Sequence, residues 1–268
     1  MKKIMMIGFG AMAEEVLKLL PADLAVGWVV TTERSCERVR QQLASQYKAS
    51  DVQVITAIAD CDGQPDLVLE CAGQPGVRAH GVDVLRNGWD LLMISVGALA
   101  DPQLADQLCA AATVGNARLH ALPGAIAGID GLSAAREGGL DQVTYTCRKS
   151  PQSWKGSPAE QMIDLDKVEQ AQVFFEGSAR EAALTFPANA NVAATIALAS
   201  MGLDDTRVQL MVDPETRSNQ HLISANGRFG EMNIQLAGKP LESNPKTSTL
   251  AALSVVRACR QSVSTIVI

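Results

Sequence analysis

The first apolar run, KIMMI at residues 3–7, is unbroken, stops at a glycine, and gives way to helical spacing in EEVLKLL. Similar short runs recur at 24–30 (LAVGWVV), 52–55 (VQVI), 66–73 (DLVLECAG), 91–99 (LLMISVGAL) and 118–122 (RLHAL). Helical spacing lies between them, including 77–85 and 103–113. Continuous apolar runs of this length are what strands buried on both faces look like. Strands alternating with helices predict parallel βαβ units with right-handed crossovers, hence a doubly wound α/β sheet over residues 1–122.

After HALPGAIAGIDGLSAA (120–135) the pattern changes. The segments at 142–150, 167–177, 206–213, 220–227 and 230–238 read as strands joined by turns, with helices at 192–202 and 247–263. This predicts an α+β domain over 123–242, a mostly antiparallel sheet covered by helices on one face. A C-terminal helix within 243–268 is left over, and the first domain is its candidate packing surface. SPQSWKGSPAEQ (150–161) is rich in Pro, Ser and Gly and reads as an exposed loop.

Composition narrows the classes of partner. With 268 residues, 47% of them hydrophobic, the chain can bury a large core. A formal net charge of −6 argues against nucleic acid, which needs clustered Lys and Arg. The six cysteines are scattered without a C-x-x-C pair, as expected of reduced thiols in a cytoplasmic protein without a metal site. MKKIMMIGFG is too short in its apolar part for a signal peptide and reads as a buried first strand. No apolar stretch reaches about 18 residues, so no membrane span is expected.

The candidate chemistry starts at the first turn. Gly8-Phe9-Gly10-Ala11-Met12-Ala13 follows a strand and opens a helix with the spacing G-x-G-x-x-A. Gly8 suits the tight turn, Gly10 lets a pyrophosphate approach the backbone, and small Ala13 lets helix and strand pack. The helix start around Ala11 and Met12 offers N–H groups to phosphates. This is the fingerprint of a Rossmann-type dinucleotide site. Ala72 and Gly73 lie at another carboxyl end of the sheet, where such ligands sit. The second strand ends in Thr31-Thr32-Glu33-Arg34. Thr31, Thr32 and Arg34 suit a 2′-phosphate, so NADP is as open as NAD; alternatively Arg34 simply opens a solvated helix.

Four further stretches carry polar groups of interest. PGAIAGIDG places Ala125 after a sheet strand, although an ordinary strand-to-helix turn explains it equally well. FPANANVAAT puts Asn189 and Asn191 before an apolar helix, where one asparagine suffices as a cap. SNQHLISANG contains His221, a natural proton carrier near neutral pH, or simply a strand residue. ESNPKTSTLAAL carries Lys246, and Arg148 and Lys149 end an earlier strand; each suits an anionic substrate or is a solvated cation.

Taken together, GFGAMA, PGAIAGIDGL, FPANANVAAT, DPETRSNQHLISANGRFG and NPKTSTLAALS resemble the L-aspartate dehydrogenase family from end to end. The resemblance implies NAD(P)-dependent oxidation of L-aspartate through iminoaspartate to oxaloacetate and ammonia, or release of iminoaspartate for NAD biosynthesis. It implies His221 as acid/base, cofactor contacts at Ala125 and Asn189 with Asn191 close by, and a homodimer. Two rivals stand beside it: another two-domain reductase of a small amino acid or semialdehyde, and a dinucleotide-binding regulator without turnover. The second would need neither His221 nor the paired asparagines.

Overall fold

The computed structural model describes residues 1–47, 49–187 and 191–268, with the side chains of 245 and 246 outside that description. They form two compact units: Met1–Ala98, Pro102–Leu122 and Ala252–Ile268 make the first, Leu99–Asp101 and Pro123–Ala251 the second.

In the first unit, β1 (Lys2–Ile7), β2 (Leu24–Val30), β3 (Gln53–Ile55), β4 (Leu67–Glu70), β5 (Leu91–Met93) and β6 (Leu119–Ala121) form one sheet. Its order is β3-β2-β1-β4-β5-β6, and every pair is parallel. Ile4 to Ile7 and all four residues of β4 are buried, as continuous apolar runs in a doubly covered sheet must be. The crossovers are α1 (Ala11–Lys18), α2 (Glu33–Gln46), α3 (Gln74–Arg86) and α4 (Pro102–Gly115).

Two of these strands are shorter than their apolar runs. The run at 66–73 stops pairing as a strand at Glu70, and the run at 91–99 stops at Met93. The cause is one side chain: Glu70 Oε1 accepts the N–H of Ala72 and Oε2 that of Ser95. Backbone groups that would continue the ladder are taken by a carboxylate instead. Val96–Ala100 then winds into a 3₁₀ turn.

The second unit starts with α5 (Ile129–Gly138) and holds β7 (Leu140–Lys149), β8 (Gln172–Ser178), β9 (Arg207–Val212), β10 (Asn219–Gly227) and β11 (Gly230–Gly238). The sheet order is β11-β10-β7-β9-β8. Only β7 and β9 run parallel; the other three pairs are antiparallel, so the fold is the α/β plus α+β architecture read from the sequence. Along β7, Val143, Tyr145, Cys147 and Lys149 are buried while Thr144, Thr146 and Arg148 are only half-buried. That alternation marks one covered face. Between β7 and β8 lies the one-turn α6 (Pro151–Trp154), and the helices α7 (Ala179–Thr185) and α8 (Asn191–Leu198) follow β8. Helices α5 and α7 pack against strands of the sheet, and α8 packs on both helices. A ribbon of β12 (Pro240–Leu241) and β13 (Asn244–Ser248) precedes the last helix, α9 (Thr249–Gln261).

The stretch 150–161 is largely exposed, as expected, but it is built of short helical turns and not an irregular loop. Ser150 Oγ accepts the N–H of Ser153 to cap α6, and Ser157 caps a 3₁₀ turn at Pro158–Gln161. Ser followed by Pro is a helix start as readily as a loop signal. The turn buries Trp154 completely, its indole N–H donating to Met211 O at 3.0 Å.

Candidate active site

The glycine turn has the backbone that a dinucleotide needs. Gly8 sits at φ +86°, and a Cβ there would lie 2.7 Å from Ala72 Cβ. No larger residue fits that turn without displacing the neighbouring loop. Gly10 is different: a Cβ there would meet nothing within 4 Å, so the space over its backbone is open. Ala13 is fully buried in the packing of α1, as the small third position requires, and Ala11 and Met12 open that helix half-buried. This combination fits a pyrophosphate over the helix start.

Around the same edge, Ala72 is exposed and Gly73, at φ +81°, starts α3. Glu70, 1% exposed, ties this loop to Ser95 through the two hydrogen bonds above, at 2.8 and 2.9 Å. Burial raises its pKa, and hydrogen bonds from the Ser95 N–H and side chain and from the Ala72 and Gly73 N–H groups oppose that rise. Glu70 escaped the sequence reading because it closes an apolar run. Thr32 is the N-cap residue of α2, exposed, its hydroxyl 3.3 Å from Ser35 Oγ, and Arg34 is exposed in the first turn.

In the second unit, His221 lies on β10 with 5% exposure. It pairs with Cys147 on β7 and Leu236 on β11, which puts it on the covered face with Tyr145, Cys147 and Lys149. The Tyr145 hydroxyl lies 2.7 Å from His221 Nδ1, with ring planes 11° apart. Nε2 has no hydrogen-bond partner among the described residues. It is not sealed either: Ser248 Oγ is the only fully buried side-chain polar atom without a partner among them. The histidine's pKa is lowered to about 4, first by burial and then by the charge of Lys149. Lys149 is itself buried, its ammonium 4.8 Å from the centroid of the Trp154 ring. Lys149 and His221 thus share one covered face of the sheet.

Arg148 faces the other way. Its Nε and Nη2 both lie 2.6 Å from Oδ2 of Asp213, whose other oxygen accepts the N–H of Glu215. It is committed to that pair and does not join His221. Ala125 is buried in the turn before α5, between Gly124 and Gly128, both at positive φ. Asn191 opens α8, and its carbonyl accepts the Thr195 hydroxyl at 3.1 Å. Asn189 lies outside the described residues, and Lys246 lies on β13 with its side chain outside them. Tyr145 was missed because its partner is 76 residues away; only the period of VTYTC placed it on a buried face.

Comparison with known proteins decides the family. An L-aspartate dehydrogenase of Acinetobacter baumannii is 59% identical over 266 residues, 99% of each chain. The chain belongs to the L-aspartate dehydrogenase family. Proteins of that name from Serratia proteamaculans (57% identity, 97% of each chain) and Ralstonia nicotianae (47%, 96% of each) agree. The family model "Aspartate dehydrogenase, C-terminal" matches residues 130–262, and "Homoserine dehydrogenase, NAD binding domain" matches 8–122. The crystal structure of aspartate dehydrogenase from Thermotoga maritima covers 100% of this chain and 99% of its own, with TM-score 0.76 and 24% identity, and so shares the fold. This family member is therefore an oxidoreductase that uses a nicotinamide dinucleotide.

Proposed function

We propose that the protein oxidises L-aspartate with NAD or NADP, giving iminoaspartate, and that His221 is the acid/base group. The supporting observation is His221 itself: buried, tethered through Nδ1, with Nε2 left for a ligand, and sharing a face with Lys149. Residues 1–122 hold the dinucleotide, with Gly8, Gly10, Ala11 and Met12 under the pyrophosphate and Ala72 and Gly73 beside it. Ala125 and Asn189 complete the cofactor's contacts. Residues 123–242 hold the substrate, with Lys149, Asn191 and Lys246 answering its carboxylates. Thr32 and Arg34 leave room for either a ribose hydroxyl or a 2′-phosphate.

When bound, the nicotinamide supplies the acceptor for the hydride leaving C2 of aspartate. The protein's own part is to fix the substrate and manage protons. Oxidation removes two electrons and two protons: one proton travels with the electrons as hydride, the other leaves the amine nitrogen. Water then adds to the imine carbon, and protonation of the departing nitrogen yields oxaloacetate and ammonia; alternatively iminoaspartate leaves intact as a precursor of the nicotinamide ring.

A histidine held near pKa 4 is neutral in the free protein at neutral pH. A dicarboxylate brought beside Lys149 offsets the ammonium's field and raises that pKa toward the working range. A homodimer in the cytoplasm is part of the same proposal. The test is aspartate-dependent formation of NADH or NADPH, followed with oxaloacetate and ammonia assays, with homoserine and a semialdehyde as competing substrates. Turnover of a competitor in preference to aspartate overturns the substrate; full activity in a His221→Ala variant would falsify the acid/base role.

A further inference from the structure

We propose that Tyr145 is a positioning residue that holds neutral His221 with its proton on Nε2, so that the ring presents an N–H donor to the ligand. The proposal rests on the reading of His221 as the acid/base group and says in which form that group enters the reaction. The geometry is a single buried contact: the phenol oxygen and Nδ1 are 2.7 Å apart, and both side chains are at most 5% exposed. Two protons must be placed, one on the neutral imidazole and one on the phenol. Burial pushes the Tyr145 phenol well above its ordinary pKa, so the hydroxyl keeps its proton at neutral pH.

If the imidazole proton sat on Nδ1, it would point at the phenol oxygen, and the phenol O–H would need another acceptor. The group placed to take it is Cys147, two residues along the same face of β7, whose sulfur is a weak acceptor. Lys149 on that face can only donate, and its other neighbours are apolar: Leu210 and Val212 on β9, Leu236 on β11 and Ile223 on the histidine's own strand. With the phenol donating to Nδ1, both groups are satisfied by one strong hydrogen bond, and the Nε2 proton faces outward. A buried donor left without a good acceptor is costly, so this second arrangement prevails.

The consequence for the chemistry is directional. In this form Nε2 donates to an oxygen of the ligand, a substrate carboxylate or the hydroxyl formed when water adds to the imine. To take a proton through Nε2, the ring must first carry its proton on Nδ1, with the Tyr145 hydroxyl rotating from donor to acceptor. Tyr145 therefore sets how accessible the base form is.

The experiment is ¹⁵N NMR of the protein labelled at histidine nitrogen, at neutral pH, with a His221→Gln sample to assign His221 among the three histidines. The expected result is a protonated Nε2 and an unprotonated, hydrogen-bonded Nδ1, whose signal moves downfield in Tyr145→Phe. In that variant kcat falls about tenfold, the worth of one buried hydrogen bond, while KM for the cofactor is unchanged. A protonated Nδ1 in the unaltered protein, or an Nδ1 signal indifferent to Tyr145→Phe, overturns the proposal; the first needs no variant to fold. Full activity in His221→Gln together with the expected spectra would instead remove the acid/base reading and leave the tether standing.

Discussion

Glu70 and Ser95 are joined across 25 residues of sequence by both the backbone and the side chain of Ser95, the Ser95 N–H lying 2.9 Å from a carboxylate oxygen that is out of reach of solvent. The other oxygen holds Ala72, so one side chain ties together the two loops that leave the carboxyl ends of β4 and β5. In Glu70→Gln, the amide nitrogen cannot accept, and one backbone N–H loses its partner. The expected outcome is a loss of roughly 1–3 kcal/mol in denaturant unfolding. Cofactor binding weakens as well, measured by fluorescence titration. Unchanged affinity would show that the loops hold their places without the carboxylate.

Gly8 and Gly10 separate folding from binding. Gly8→Ala puts a Cβ against Ala72 at a φ that side chains avoid, and thermal unfolding moves down by several degrees. Gly10→Ala meets open space, so its melting temperature stays near that of the parent while dinucleotide affinity drops at least tenfold. Equal effects in both assays would contradict this division.

Arg34 offers a charge without a burial cost, being exposed in the first turn of α2. Arg34→Ala is expected to weaken NADP binding by about tenfold at low salt and leave NAD nearly unchanged, with the difference shrinking as salt is added. Isothermal titration with both nucleotides reads this directly, and equal losses for the two would assign Arg34 no part in the choice.

His221 makes stability depend on acid. Its folded pKa of about 4 lies below the ordinary 6.5, so between those values the unfolded chain binds more protons than the folded one. Its contribution is complete above pH 6.5 and is lost as pH falls through 4. The size is about 3 kcal/mol from the shift alone. Denaturant unfolding from pH 7 to 4 is expected to show a slope that flattens in His221→Gln.

Trp154 tests the misread loop. Its ring packs edge-on against Phe174, with centroids 4.9 Å apart, and carries the Lys149 ammonium over it. Trp154→Ala should cost about 3–5 kcal/mol in chemical unfolding. A loss under 1 kcal/mol would return the segment to the status of a surface loop.

The fold class was legible because unbroken apolar runs and alternating ones say different things about how many faces of a sheet are covered. Ile4–Ile7 and Leu67–Glu70 are buried along their length, while VTYTCRK hides every second residue. The glycine turn was legible because its spacing is itself the geometry. Glu70, Tyr145 and Asp213 were not. Each owes its role to a partner far along the chain: Ser95, His221 and Arg148 respectively. Such pairings depend on strand register, which no local pattern states. Trp154 was hidden by composition, because serines and prolines that cap a helical turn look like those that fill a loop.

The hairpin joining β10 and β11 turns on Arg228 and Phe229, and at its foot the ladder to β7 shifts between Asn226 and Gly227. A Cβ at Gly227 would strike Gly139 O at 2.4 Å, so the strand is locked there against its neighbour. Because side chains alternate, a slip of a single residue at this distant lock would turn the imidazole out to the opposite face and present Gln220 or Leu222 to Tyr145. On the acid/base role proposed for His221, a length change in that turn would remove the group from its place beside Tyr145 as fully as replacing the histidine, with the sequence of the strand intact.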